Sequence, residues 1–349
     1  MTKAVGIEII GFGGCSSLGY TLPATLAAMG AGLSNFSDTG LKSAYGTAVS
    51  AGALLHKHLP RGERLAQLAN FGILDLQTLL KGLRLSRVPV MLGLPSDITL
   101  KERNQIQQAL ERFPELHPKA ADYPYGRAST FVAIADAMRL IERGVHRHIV
   151  VGGIDSLCAA NTIQGLIAAE RILGPHSEGT IPGEASAFAL LAQFDEPSSN
   201  PSTSLTIEAV FRHQSQPFDQ TQKVSGDGLA AIFRSFREWG STKVDRVIAA
   251  HSGEGYFGRS FAHAYLRETE IMPEPLTVDL TADCVGDTGA AAGVLGLSFA
   301  RYLLATTKPG IPGRALIYSE SDNGVQGAAI VAGSPSAWMD DSIANSLAN

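Results

Sequence analysis

The sequence predicts an α/β protein built from two halves of similar pattern. Three observations carry that reading. Short apolar runs at 88–92, 149–153, 185–193, 247–250, 315–318 and 327–332 alternate with longer stretches at helical spacing, an alternation that gives parallel sheets. Residues 126–156, GRASTFVAIADAMRLIERGVHRHIVVGGIDS, read as a buried helix running into a strand covered on both faces. An Ala/Gly-rich helix, a strand, a loop and a small-residue strand then recur in the same order further on. The expectation is an N-terminal half, 1–200, and a C-terminal half, 201–349, each with a mixed sheet and helices, the two sheets packed through shared central helices at 128–143 and 289–304.

Each element has its local reason. A strand at 5–10 leads into Gly11-Phe12-Gly13-Gly14. Neither the Rossmann spacing nor GxxxxGK[ST] follows, so these glycines predict a tight turn rather than a phosphate loop. Helices are expected at 23–29, at 62–83 (apolar at Leu65, Leu68, Ile73, Leu74, Leu76, Leu79 and Leu80) and at 100–113, with a break at 114–118. The central helix is apolar nearly all round at its start, and Gly144 stops it. Its buried N-terminus presents unpaired N–H groups and a positive dipole end, which places any chemistry near Arg127. A turn-rich loop occupies 174–183, and Ser198-Ser199-Asn200-Pro201-Ser202 reads as a linker. Beyond it come strands at 205–211, 247–250, 315–318 and 327–332, helices at 228–239, 261–268 and 289–304, and a peripheral tail from 338.

Composition narrows the function classes. The chain has 349 residues, 45% hydrophobic and 17% charged, with a net charge of −5, which offers no basic footprint for nucleic acid. Cys15, Cys158 and Cys284 are scattered, without zinc or disulfide spacing, as expected of a reducing cytoplasm. The N-terminus lacks the pattern of a signal peptide, and no window approaches the ~20 apolar residues of a membrane span. The reading is a soluble cytoplasmic protein.

Four stretches, in order across nearly the whole chain, resemble the β-ketoacyl synthases of the thiolase-like superfamily. RASTFVAIADAMRLIERG with HIVVGGIDS is similar to the segment that opens with the nucleophilic Cys and ends in a glycine pair. PGEASAFALLA is similar to the GEGAG strand, AAHSGEGYFG to the strand end carrying the first active-site His, and VGDTGAAAGVLG to the segment carrying the second. SESDNGVQGAAIVAG looks like the closing glycine loop. The resemblance implies duplicated αβαβα layers, no cofactor, and a homodimer formed through the strand before the nucleophile, here 121–125, where Pro124 removes one donor. It also implies acyl carrier protein, acyl-CoA or another protein as partners.

The departures decide the functional expectation. In ungapped register the nucleophile position is Arg127; the first His is kept as His251, the second becomes Asp287, and the gatekeeper Phe becomes Asn323. The family uses a Cys thiolate to accept an acyl group and two His to stabilise the carbanion formed by decarboxylation. A guanidinium has no nucleophilic lone pair and stays protonated. Condensation is therefore not expected, and the chain reads as a degenerate homologue that binds an acyl group or a protein partner, like a chain-length factor or an adaptor. Acyltransfer or acyl-thioester hydrolysis using His251 is the alternative.

Further residues are assigned by position. Asp287, or Glu254 three residues after His251, is expected to pair with Arg127 and neutralise it. Ser129, two residues into the helix, reads as a cap beside the pocket. Cys284, three residues before Asp287, is a candidate for the pocket, although a buried small hydrophobe is the commoner fate of a lone Cys; Cys15 and Cys158 read as core or turn residues. Ser252 is excluded as a nucleophile because adjacent strand residues point apart. His146, His148, His176 and His263 receive no role, and no metal site is expected. Backbone N–H groups near Arg127 and in the Asn323-Gly324 loop are expected to remain free to hold a carbonyl or carboxylate.

Overall fold

The computed structural model describes residues 6–56, 58–175, 177–193, 205–305 and 313–333. The chain opens with β1 (Ile7–Ser16), α1 (Leu22–Gly30), a separate hairpin of β2 (Ser37–Lys42) and β3 (Ala48–Ala51), and α2 (Arg61–Gly82). Then come β4 (Val88–Gly93), α3 (Leu100–Leu110), β5 (Leu116–Tyr123), α4 (Ser129–Glu142), β6 (His148–Ser156), α5 (Ala160–Ala168) and β7 (Glu184–Gln193). A second run follows: β8 (Leu205–Gln214), α6 (Asp227–Trp239), β9 (Arg246–Ala249), α7 (Gly255–Tyr265), β10 (Val278–Leu280) and α8 (Ala282–Val285). The chain continues through α9 (Ala292–Ala305), β11 (Gly313–Glu320) and β12 (Val325–Gly333).

The strands form one continuous sheet of ten, in the order β10-β9-β11-β12-β8-β1-β7-β6-β4-β5, where two separate sheets were expected. The join is short: Ile7, Glu8 and Ile9 of β1 pair antiparallel with Ile207, Thr206 and Leu205 of β8. Outward from this seam both runs repeat one arrangement, first, fifth, fourth, second and third strand of the run. The pairings are antiparallel, antiparallel, parallel, parallel on each side. Each run is thus mixed rather than all parallel, because its last strand enters from the opposite end between the first and fourth.

Helices α4 and α9 form the middle layer. Phe131, Ala133, Ile134 and Ala137 of α4 and Val294, Leu297 and Ala300 of α9 are inaccessible to solvent. They share one core with Ile149, Val151 and Leu191 of the first run and Ile248, Ile317 and Ala329 of the second. A helix apolar nearly all round is stable only when wrapped in this way. α2 and α3 close the outer face of the first run through Leu65, Leu68, Leu76 and Ile106. α6 closes the second with Phe233 and Phe236, packed against Phe261 of α7.

Several sequence expectations change here. Gly11, Gly13 and Gly14 lie inside β1 and make no turn. A Cβ on Gly13 would stand 2.4 Å from the backbone nitrogen of Leu76, so the glycine lets α2 lie directly on the strand. The helix expected at 100–113 stops at Leu110, and from Leu116 the expected break is already β5, an edge strand, where a proline's missing donor is tolerated. The helix expected at 261–268 begins earlier, at Gly255, and β2, β3, α5 and β10 were not anticipated. The linker at 198–202, the tail from 338 and His176 lie outside the described residues.

Candidate functional site

The parallel strands of both runs end around one buried cluster of charge. After β5 the chain turns through Gly126 (φ +72°) into a short 3-10 helix, Gly126–Ala128, whose register is held by a bond from Gly126 N–H to Leu94 O at 3.0 Å. Arg127 sits in this turn, buried, immediately before α4. A cation there opposes the helix dipole and needs compensation from elsewhere.

Compensation comes from two carboxylates. Arg127 donates from Nε to Asp287 Oδ1 (3.0 Å) and Oδ2 (3.1 Å), and from Nη2 to Oδ2 at 2.5 Å. Its Nη1 donates to Asp322 Oδ1 at 2.6 Å. Burial pulls the Arg127 pKa down; Asp287 and Asp322 outweigh it and hold the pKa well above the ordinary value. Asp287 is itself fixed by the Gly289 N–H, which donates to Oδ1 at 3.0 Å.

The cluster continues beyond this pair. Arg171, from the loop after α5, donates from Nη1 to Asp322 Oδ2 at 2.7 Å, and from Nε and Nη2 to Glu254 at 2.8 and 2.6 Å. The Ser252 hydroxyl also donates to Glu254, at 2.8 Å. The result is a chain Asp287–Arg127–Asp322–Arg171–Glu254, with two guanidiniums against three carboxylates. Burial raises the Asp322 carboxyl, but Arg127 and Arg171 prevail and hold it far below the usual range. The guanidinium carbons of Arg127 and Arg171 lie 5.3 and 4.4 Å from the ring centres of Phe257 and Phe218.

His251 lies against Phe257, with ring centres 5.7 Å apart. Its Nδ1 accepts the Gly253 N–H at 3.1 Å, so the neutral ring carries its proton on Nε2, 3.3 Å from the Tyr318 hydroxyl. Burial, with Arg127 adding to it against Asp287, pushes the imidazole down to about 3. Both ring nitrogens are engaged.

The remaining expected residues are more scattered. Ser129 is not a cap for its own helix; its hydroxyl donates to Tyr123 O at 2.8 Å and accepts the Tyr125 N–H at 3.2 Å, tying α4 to the end of β5. Cys284 is half-buried against the central core and lines neither of the two clefts beside the charged cluster, and burial raises its thiol pKa. Glu254 pairs with Arg171, not Arg127. Asn323 accepts the Val325 N–H on its own side chain at 3.1 Å, and Gly324 occupies a left-handed turn position (φ +83°). Two of the backbone donors expected to be free are occupied: Ala128 N–H binds Ser321 Oγ at 2.8 Å, and Gly324 N–H binds Ser321 O at 2.9 Å.

Two clefts flank the cluster. One, of about 470 Å³, is lined by Arg127, Asp287 and Asp322 together with Arg61, Asp97 and Asp155. Burial pushes the Asp155 carboxyl up to about 6 against the opposing pull of Arg61, 3.7 Å away, and of the Ala290 N–H. The other, of about 1350 Å³, lies under residues 213–228 and is floored by Phe257, Ser260, Glu320 and Gln326. Ser321 lines both. Among the described residues no group of three or more His, Cys, Asp or Glu is placed to hold a metal ion, and no helix is long and apolar enough to cross a membrane.

Sequence reasoning missed Asp322, Arg171, Asp155 and Glu320. Asp155 and Asp322 each lay within a quoted motif, and the available signal was a carboxylate where those segments otherwise carry small residues.

No protein-family model matches the chain, and no curated protein matches it closely enough to count as a relative. Solved structures do match. The ketosynthase from module 6 of the bacillaene synthase of Bacillus subtilis covers 94% of this chain and 72% of its own, with a TM-score of 0.71 at 14% identity. The ishigamide ketosynthase/chain length factor covers 93% and 99%, with 0.70 at 18% identity. A ketosynthase in complex with its chain length factor from Xenorhabdus doucetiae covers 96% and 99%, with 0.70 at 17% identity. These likenesses, all at 18% identity or below, show the fold: the chain folds as these ketosynthases do.

Proposed function

We propose that this chain is a ketosynthase homologue without condensing activity, acting by binding an acyl group or a protein partner. One observation carries the reading. Every side-chain nitrogen of Arg127, at the position the sequence resemblance assigns to the nucleophile, donates to a carboxylate. A paired guanidinium neither attacks a thioester nor leaves room for a thiolate. No cysteine takes over. Burial raises the thiols of Cys15, to about 11, and Cys158, so neither is a ready nucleophile. Hydrolysis by a water activated at His251 lacks a base, because both imidazole nitrogens are engaged and the ring resists protonation.

In this reading residues 1–200 and 201–349 are the two ketosynthase-like halves of a cytoplasmic protein. Its partners are a second copy or a related synthase chain joined along the β5 edge, and an acyl carrier protein or acyl-CoA at the clefts. The similarity to a ketosynthase solved with its chain length factor supports a paired assembly. Carbon dioxide release from malonyl-CoA tests the reading: the purified protein should match buffer, and any protein-dependent rate would refute it.

A further inference from the structure

The parallel strands of the first run start from three turns: 83–87 before β4, 111–115 before β5 and 143–147 before β6. Val88 of β4 stands opposite Leu116 of β5, and Val90 opposite Val150 of β6, so the three turns end at one level, about 5 Å apart from strand to strand. This edge lies at the far end of the strands from the buried ion pairs. It is basic, in a chain whose net charge is −5. Lys81, Arg84, Arg87, Arg112 and Arg143 are exposed, and among the described residues no carboxylate pairs with their side chains. The acids nearby are Glu111 and Glu142, both exposed, and Glu115, which is buried and held by Gln77 at 3.3 Å. Arg139 is spent on Asp136, and Arg147 is not free.

Cations at helix C-termini offset the macrodipole, and the second run shows how that is done without a free charge. At its corresponding turns Arg237, Lys243, Arg246 and Arg314 each hold a carboxylate, from Glu270, Glu274, Asp279 and Glu208. The first run leaves its cations facing water. Its backbone is also strained to present them: Arg84 and Arg87 both hold φ +52°, a left-handed conformation that suits glycine. After α4 and α6 the place of Arg84 in the same turn is taken by Gly144 and Gly240. Leu83 and Val145, 45% and 56% exposed, stand beside the cations in two of the turns.

We propose that this edge docks on an anionic lipid surface, with its arginines on headgroup phosphates and Leu83 and Val145 at the headgroup boundary. Three turn tips at one level present a plane rather than a groove, which fits a bilayer better than an acidic helix. Aliphatic side chains among the cations gain from the interface, and among the described residues no exposed aromatic ring stands in these turns to stack on the bases of a nucleic acid.

Co-sedimentation with vesicles tests this. The full chain should sediment with vesicles containing about 30% phosphatidylglycerol in about 50 mM salt and stay behind with pure phosphatidylcholine; about 500 mM salt should release it. Arg84→Gln with Arg143→Gln should weaken the binding about 25-fold, at about fivefold per charge. Leu83→Ser with Val145→Ser should weaken it severalfold at unchanged salt dependence. Arg84→Gly separates docking from structure: relief of the left-handed backbone should leave its urea midpoint level or higher while vesicle binding falls about fivefold. A lower midpoint would mark Arg84 as structural and count against the proposal. Binding to neither kind of vesicle, equal binding to both, or full binding by the double glutamine variant would overturn it. Retention on immobilised poly-glutamate or DNA without vesicle binding would overturn it in favour of an acidic protein or a nucleic acid.

Discussion

A guanidinium removed from water costs several kcal/mol unless its donors are met, and Arg127 meets all of its contacts through two carboxylates of unequal standing. Asp287 is fully buried and bidentate, whereas the Asp322 side chain is 41% exposed. Asp287→Ala should therefore lower stability by about 3 kcal/mol, read as a fall in urea midpoint at unchanged slope. Asp322→Ala should cost about 1 kcal/mol or less, since water reaches that pair; equal losses would contradict this ranking. Glu320 sets a pH dependence of definite sign. Its folded pKa, about 8, lies above that of an unfolded carboxyl, so the folded state holds a proton that the unfolded state releases. Stability contributed by this group is complete at acid pH and is lost as pH rises towards 8. Between pH 6.5 and 8 the loss should be about 2 kcal/mol, at about 1.4 kcal/mol per unit. Glu320→Gln should remove that slope in melting experiments at the two pH values. The pairing of Arg127 with Asp287 was legible beforehand because both stand in motifs whose register is continuous. Arg171 was not, because it stands in a loop outside every such motif and meets the cluster only in the folded chain; Asp322 stood in the closing glycine loop, where its carboxylate was passed over.

Elements with a strong apolar pattern were legible for a physical reason. α4 and α9 must be buried on nearly every side, so their composition declares them. β2 alternates between exposed and half-exposed residues, α5 buries Ile163 alone, and β10 has three residues, none buried. None of these presents an apolar period, which is why sequence reasoning passed over them. Glycine was the other blind spot, because close approach and a turn call for the same residue. Gly153 of β6 shows the first use: a Cβ there would stand 2.0 Å from Ala290 O, in the short 3-10 helix that follows Asp287. Gly153→Val should destabilise by about 3 kcal/mol, because the obstructing atom is backbone. It should also loosen the Asp287 contact, detectable as faster amide exchange at Gly289. A variant as stable as the parent would show that this packing has slack.

At the scale of the whole molecule the repeated strand order is the plainest feature, and it places the ends of both parallel strand groups around one site. A short pairing of β1 with β8 turns the two runs into a single sheet wrapped about α4 and α9. Duplication was legible in the recurring order of elements; the seam was not, since three residue pairs leave no signature in either strand. The opposite edges of the sheet are β10 and β5, and we expect β5 to pair with a second chain. Light scattering at micromolar concentration should then give twice the chain mass, and a monomer would contradict it. The central claim, that Arg127 has replaced nucleophilic chemistry with a closed set of ion pairs, is tested most directly by intact-protein mass spectrometry after incubation with acetyl-CoA and malonyl-CoA. The account predicts an unchanged mass; an acyl adduct on the wild-type chain would contradict it.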